Sequence, residues 1–307
     1  MFHPVELLHE WETRTNRLWP RGHGLASLDS HWSLGSGERL ALQGVARPSP
    51  QLMVVLMTYQ RPDSAAHVLS QLAAALRQWS GSVSLLVLRD AGDADYAAAR
   101  AQARAIDPEH VWFDARQRFG KAGFWRMHQT ALDVARLWQP ERALYLQDDL
   151  AFSPELLRSV DQLWQATEID AQRRVLYLFS SRDDEPEGRW VRYQRRDVPG
   201  AACRLTNWFD LQAFLIDRRG LELLDYRMVP VHPNRWRRRP AQSSGVGRQL
   251  SLRLFGRGHV YQAWPPLVVH GTEQSTMNPE ARSARSLDNR DDYTASSDTS
   301  GNDSGGD

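Results

Sequence analysis

Asp148 and Asp149 stand side by side where a short apolar run, residues 143–146, stops. A strand that ends on two carboxylates either presents them to a divalent cation, for which hard oxygen donors are suited, or simply carries a polar end. The following stretch, AFSPELL, predicts a turn that opens a helix. Two earlier apolar runs end in comparable groups. Residues 52–57 lead into Thr58, Tyr59 and Arg61, and residues 83–89 lead into Asp90. Lys121 is the only lysine of the chain, every other basic residue being arginine. Codon bias of a GC-rich genome accounts for the arginine excess, so Lys121 is a candidate for function on its own terms.

These residues need a frame. The stretch from residue 51 reads as strand, turn, helix: residues 52–57 are apolar throughout, as in a strand covered on both faces. RPDS then supplies a turn with an Asp or Ser helix cap, and the helix runs to about Trp79. Residues 83–89, a Gly/Asp turn and an alanine-rich helix repeat the plan. HVWFD predicts a third strand, AGFWRMHQTALDVARLW a third helix, and residues 143–147 a fourth strand. Met127, Ala131, Val134, Ala135 and Trp138 fall on one side of that helix. Successive strand–helix units argue for an α/β fold, a Rossmann-type, mostly parallel sheet with helices on both faces. In such sheets ligands sit at the carboxyl ends of the strands, which is where Thr58, Arg61, Asp90, Asp148 and Asp149 lie. The second half is mixed. RRVLYLFSS reads as a strand, NWFDLQAFLIDRRGLELLDY as a strand leading into a helix, and the end as a helix, a turn and two strands. Residues 1–50 read as a helical extension and 51–278 as the main domain, divided near 150. Residues 279–307, polar and of low complexity, are expected to be disordered.

With 41% hydrophobic and 24% charged residues among 307, the composition is that of a globular protein. No apolar run approaches the roughly 20 residues of a membrane span, and the N-terminus lacks a signal-peptide core. The single cysteine, Cys203, excludes an internal disulfide. These features together predict a cytoplasmic protein. The net charge of +1 hides an asymmetry: residues 226–272 carry eight arginines and no acid, while 273–307 carry three arginines and eight acids. An acid-free basic segment, with NRWRRRP interleaving tryptophan and arginine, implies a polyanionic partner.

Taken in order, these stretches resemble a family 2-like, nucleotide-sugar-dependent glycosyltransferase of the GT-A fold, over roughly residues 51–278. VVLMTYQRP resembles that family's opening segment, where Thr58, Tyr59 and Arg61 would hold the base and ribose of a nucleotide. Asp90 resembles the aspartate that accepts a hydrogen bond from uracil. FGKAGFWRMHQTAL is similar to the segment that closes over the diphosphate, which gives Lys121, Arg126 and His128 phosphate oxygens to reach. YLQDDL resembles the metal motif, with Asp149 as the direct ligand and Asp148 as a water-mediated or ribose contact. Gln147 replaces an acid often found there. WPPLVVHGTEQST resembles the closing segment in which a histidine, here His270, completes the shell around Mn2+ or Mg2+. The resemblance implies a metal-dependent enzyme of the hexosyltransferase type using a nucleoside-diphosphate sugar, UDP-linked by its Asp90, and a GT-A-like domain whose C-terminal half holds the acceptor.

One part of the pattern is missing. The family's acidic pair before LSLRL, a source of the proton-accepting base, is replaced by GVGRQ, with Val246 and Gly247 where the acids would fall. Asp210 is then the first candidate base, with Asp183, Asp184 and Glu273 behind it, although Asp210 would also serve as a helix cap or acceptor contact. A retaining mechanism also fits the gap. Trp208 or Trp236 could stack on a sugar or base, and Arg235, Arg237, Arg238 and Arg239 could hold the phosphates of a nucleic acid or a lipid-linked glycan. The acceptor is open between a bacterial surface glycan and a modified DNA base of the phage kind. Two other classes stay open: a nucleotidyltransferase, which TYQRPDS disfavours for want of glycines, and a non-catalytic nucleic-acid-binding protein on a decayed transferase scaffold.

Overall fold

The computed structural model describes residues 31–33, 49–179, 193–194, 198–204, 211–231 and 245–271. The expected N-terminal helix, the polar tail and the arginines at 235 and 237–239 lie outside the described residues. So do Asp183, Asp184, Trp208, Asp210, Trp236 and Glu273.

The first described strand, β1 (Trp32–Ser33), sits at one edge of a large sheet. The apolar run after residue 51 forms β2 (Leu52–Thr58), buried at every position. Such a strand needs cover on both faces, which the connections supply. It leads through α1 (Pro62–Leu76) to β3 (Val83–Arg89), then through α2 (Ala97–Ile106) to β4 (Val111–Ala115). From there α3 (Gly120–Trp138) carries the chain back to β5 (Arg142–Gln147), on the other side of β2. Right-handed crossovers in opposite directions put α1 and α2 on one face and α3 on the other. The contacts agree, for α1 packs on α2, whereas α3 packs on a later helix, Val246–Leu254.

The parallel order β4-β3-β2-β5 reverses direction between β2 and β5. That reversal is a switch point, where diverging connections leave a crevice beyond the strand ends.

Directly after β5 comes a strand that the sequence had concealed, β6 (Leu150–Phe152), before α4 (Leu156–Ala166). Asp148 and Asp149 therefore occupy a two-residue turn between strands, and of the stretch AFSPELL the first two residues belong to β6, so that only the residues after Phe152 lead into the helix. The second half adds β7 (Arg173–Tyr177), β8 (Tyr193–Gln194), β9 (Ala201–Arg204) and β10 (Ala213–Asp217), which runs into α5 (Arg218–Leu223). It ends with α6 (Val246–Leu254), β11 (His259–Ala263) and β12 (Val268–His270). Here the sheet is mixed: β10 is antiparallel to both β5 and β7, β11 is parallel to β7, and β9 is antiparallel to β11. A separate ladder pairs β12 with β6.

Packing follows the helical period. Ala65, Val68, Leu69, Leu72 and Ala75 form the buried stripe of α1, and full burial of each leucine or valine contributes roughly 1.5–3 kcal/mol. The expected Asp or Ser cap is not used: Pro62 opens α1, and no side chain caps it. The first helical turn tolerates proline because its missing N–H has no helical acceptor. On the other face, His128 stacks on Tyr145, which stacks on Phe214, so one aromatic column joins α3, β5 and β10. Among the described residues no helix is long and apolar enough to cross a membrane.

Candidate functional site

β2 and β5 are in parallel register, Met57 beside Gln147, so the residues that leave them meet beyond the strand ends. The Thr58 hydroxyl donates to Asp148 Oδ2 at 2.7 Å, and the Tyr59 N–H donates to the same oxygen at 3.0 Å. Because the Thr58 proton is committed there, the Tyr96 hydroxyl must donate to Thr58 Oγ1, 2.9 Å away. Tyr96 in turn accepts the Arg61 N–H at 3.0 Å. Tyr96 thus ties both ends of the 58–61 loop, which includes Gln60 in the left-handed region. Burial above all, with Asp149 beside it, pushes the Asp148 carboxyl up to about 7; the Thr58, Arg61 and Tyr59 contacts pull it back down.

Asp149 faces the other way. Its Oδ2 lies 3.2 Å from the Arg61 Nη1 and 3.8 Å from the His270 Nδ1. The small ladder explains the second distance. His270 pairs with Leu150 across β12 and β6, and the Gly271 N–H donates to the Asp149 carbonyl at 2.7 Å. A Cβ on Gly271 would meet that carbonyl oxygen at 3.4 Å, an ordinary van der Waals contact, so the hydrogen bond and not the absence of a side chain fixes this approach.

Asp90 closes the opposite wall. Its Oδ1 accepts from the N–H groups of Phe119 and Ala91 at 2.6 and 2.8 Å, and its Oδ2 accepts from Gly120 at 2.8 Å. Gly120 has a φ of 52°, a conformation that glycine adopts without steric cost and that points successive N–H groups at one anion. The carboxylate therefore anchors the start of α3. β1 braces the same turn from behind: the Trp32 ring makes edge contacts with Phe113 and Phe119, and its Nε1 donates to Thr130 at 2.9 Å.

These walls enclose a cleft of about 160 Å3. Thr58, Tyr59, Arg61, Asp90, Lys121, Asp148 and Asp149, all singled out in the sequence, line it, and His270 stands beside Asp149. Arg126 does not line it: its Nη1 lies 2.7 Å from the His31 Nε2, and its guanidinium covers Trp125. His128 is turned into the core between Phe124 and Tyr145, where burial lowers its pKa to about 3. Asp210 and Glu273, the candidate bases, are outside the described residues. Val246, which stands where the resemblance would have an acid, is fully buried at the start of α6.

Sequence reading missed Tyr96 and Arg118. The Arg118 guanidinium lies 4.7 Å from the Tyr59 ring centroid, and both line the cleft.

As a donor set, a carboxylate and an imidazole suit Mn2+ or Mg2+ when the remaining ligands are oxygens. Among the described residues no three carboxylate, imidazole or thiolate groups converge as a preformed cage. Asp149 and His270 therefore fit a cation that brings phosphate oxygens with it, not one held by protein alone.

No protein-family model matches the chain, and no curated protein matches it significantly. Among solved structures it is similar to the mannosyltransferase PcManGT from Pyrobaculum calidifontis in complex with GDP-Man and Mn2+. There the identity is 15% over 90% of this chain and the TM-score 0.50. The chain spans 66% of that protein's length. It is also similar to a 1–349 fragment of TarS from S. aureus, at 13% identity over 69% of this chain and 60% of that one, with a TM-score of 0.44. A mycobacterial protein matches at 17% identity over 82% of this chain and 75% of that one, also with a TM-score of 0.44. At such identities the likeness to the mannosyltransferase is one of architecture, and the architecture is a GT-A-like glycosyltransferase fold.

Proposed function

We propose that this chain is a metal-dependent glycosyltransferase that takes a sugar from a nucleoside-diphosphate donor seated in the cleft at the β2/β5 switch point. One observation carries the reading: Asp149 and His270, far apart in sequence, are brought within 3.8 Å at the mouth of that cleft. The nucleoside would lie along Thr58, Tyr59 and Asp90, with the diphosphate beside Lys121 and Arg61. In transfer, the acceptor hydroxyl forms a bond to the sugar carbon as the bond from that carbon to the diphosphate oxygen breaks. The diphosphate leaves with the electron pair, and the hydroxyl proton passes to a base, for which Asp210 and Glu273 are the candidates. A divalent cation on Asp149 and His270 would supply charge neutralisation for the leaving diphosphate. The structurally similar mannosyltransferase carries GDP-Man and Mn2+, a donor and cation of the same class.

Asp90 supports a pyrimidine base. A carboxylate offers about four acceptor sites, and three are taken by backbone N–H groups. The site left suits the single ring N–H of uracil or thymine better than the paired donors of guanine. The acceptor would be a polyanion, a glycan carrier or nucleic acid, drawn by the basic segment 226–272.

A thermal-shift screen with UDP, GDP, CDP and dTDP, each with and without Mn2+, tests the reading. A rise of several degrees for UDP or dTDP that disappears on chelation is the expected result. No rise with any nucleotide would reject donor binding. A second reading, a nucleic-acid-binding protein on a decayed scaffold, is favoured by the buried Val246 in place of an acid; it predicts a salt-sensitive DNA shift and no nucleotide effect.

A further inference from the structure

The resemblance implies that Arg61 holds the base or ribose, but its guanidinium lies on the aspartate pair. Nη1 is 3.2 Å from Asp149 Oδ2 and 3.8 Å from Asp148 Oδ1, and the side chain is 7% exposed. The oxygen it approaches most closely is the one that faces His270. A cation bound between Asp149 and His270 would therefore meet a buried guanidinium on a shared ligand atom. Two positive charges that close, with little water between them, repel strongly.

The backbone at Arg61 need not move to resolve this. Its N–H is held by Tyr96 and its carbonyl accepts the Ala65 N–H as α1 begins. The side chain itself also lines the cleft, and a guanidinium binds phosphate oxygens as readily as carboxylates, with two parallel hydrogen bonds.

We infer that Arg61 is the resident counter-ion of the Asp148–Asp149 pair and keeps bare divalent cations off it until a diphosphate draws the guanidinium away. The metal and the nucleotide then enter together. This rests on the reading of Asp149 and His270 as the cation site, and it adds an order of binding that the fold alone does not set.

The test is Mn2+ binding followed by the electron paramagnetic resonance signal of the unbound ion, with and without UDP, for the wild-type chain and Arg61→Gln. Removing the guanidinium should tighten Mn2+ binding without nucleotide by roughly tenfold or more, because a buried repulsion is relieved. In saturating UDP the variant should gain nothing, and its affinity for UDP without metal should fall. Arg61→Met, which keeps the apolar stem packed, replaces Arg61→Gln if the latter does not fold. Unchanged or weaker Mn2+ binding by the variant, alongside Mn2+ uptake by the wild type with UDP, overturns the role of Arg61 and leaves the cation site standing. No Mn2+ uptake by any form, even with UDP, overturns the cation site and this inference with it.

Discussion

The two halves of the sheet treat their polar groups differently. In the first half the carboxylates at the strand ends are turned toward a shared cleft, each held by named partners: Asp90 by three backbone N–H groups, Asp148 by Thr58 and Tyr59, Asp149 by Arg61. In the second half α6 begins Val246-Gly247 after Gly245, and Val246 is part of the core. The most deeply buried polar side chain among the described residues of that helix is Gln249, whose amide is spent on the backbone of Val229, donating to its carbonyl at 2.7 Å and accepting its N–H at 2.8 Å. Polar side chains in the first half are arranged around a space for a ligand, whereas the start of α6 is arranged to dock a helix. On the proposed reading the donor contacts lie among the described residues of the first half, and a proton acceptor would have to come from somewhere other than α6, whose sequence VGRQLSLRL holds no acid.

The largest test of that contrast is Asp149→Ala. If the cation site is real, metal-dependent UDP binding should weaken roughly a hundredfold or more, the scale of several kcal/mol of charge stabilisation, while the fold persists. Calorimetry with and without Mn2+ reads this, and equal affinities for both proteins would remove the site. The counterpart in the second half is Val246→Asp. Placing a carboxylate at a fully buried position should cost about 3 kcal/mol or more of stability and give no gain in transferase rate. A stable Val246→Asp protein with a higher rate would instead show that α6 faces an acceptor.

His128 tests the seam between the halves, since it stacks on Tyr145 of β5, which stacks on Phe214 of β10. Burial lowers its pKa from 6.5 to about 3. Between those values the unfolded chain takes up a proton that the folded protein refuses, so stability present above pH 6.5 is lost as the pH falls. The slope is at most about 1.4 kcal/mol per pH unit for one proton. His128→Leu should flatten it in denaturant titrations from about pH 7 to 4; identical slopes would mean that His128 titrates normally in the folded state.

Legibility divides along chemical lines. The apolar runs of β2, β3 and β5 and the polar residues that end them were readable because strand burial and the strand-end rule depend only on local pattern. His270 was readable as a strand end, and the resemblance already set it with Asp149, but the ladder that brings the two together was not, because β6 is a three-residue strand with no periodicity to show. Tyr96 was invisible for another reason: its hydroxyl acts on Thr58 and Arg61 only after β2 and β3 align in parallel. Arg126 was within reach of helix geometry alone. Five residues beyond Lys121, it is rotated by about 140° around α3, too far to share the cleft face. The preference for His31 comes from a segment distant in sequence, which local reasoning does not bring together.

The smallest expected effect concerns the Tyr59 platform. Arg118 is exposed yet sits over the Tyr59 ring at 4.7 Å, and such a contact is worth about 0.5–1 kcal/mol at an exposed site. If the pair serves as a stacking surface for the base, Arg118→Ala should weaken uridine and UDP alike, by roughly two- to fivefold. If Arg118 reaches the diphosphate instead, UDP should lose affinity and uridine should not. Calorimetric titration of both ligands separates the cases, and Tyr59→Leu in the same background completes a double-mutant cycle. A coupling near zero would show that the two residues act separately. On the proposed reading the cleft would then owe its base recognition to the 58–61 loop and to Asp90, through the acceptor site that its three backbone N–H donors leave over.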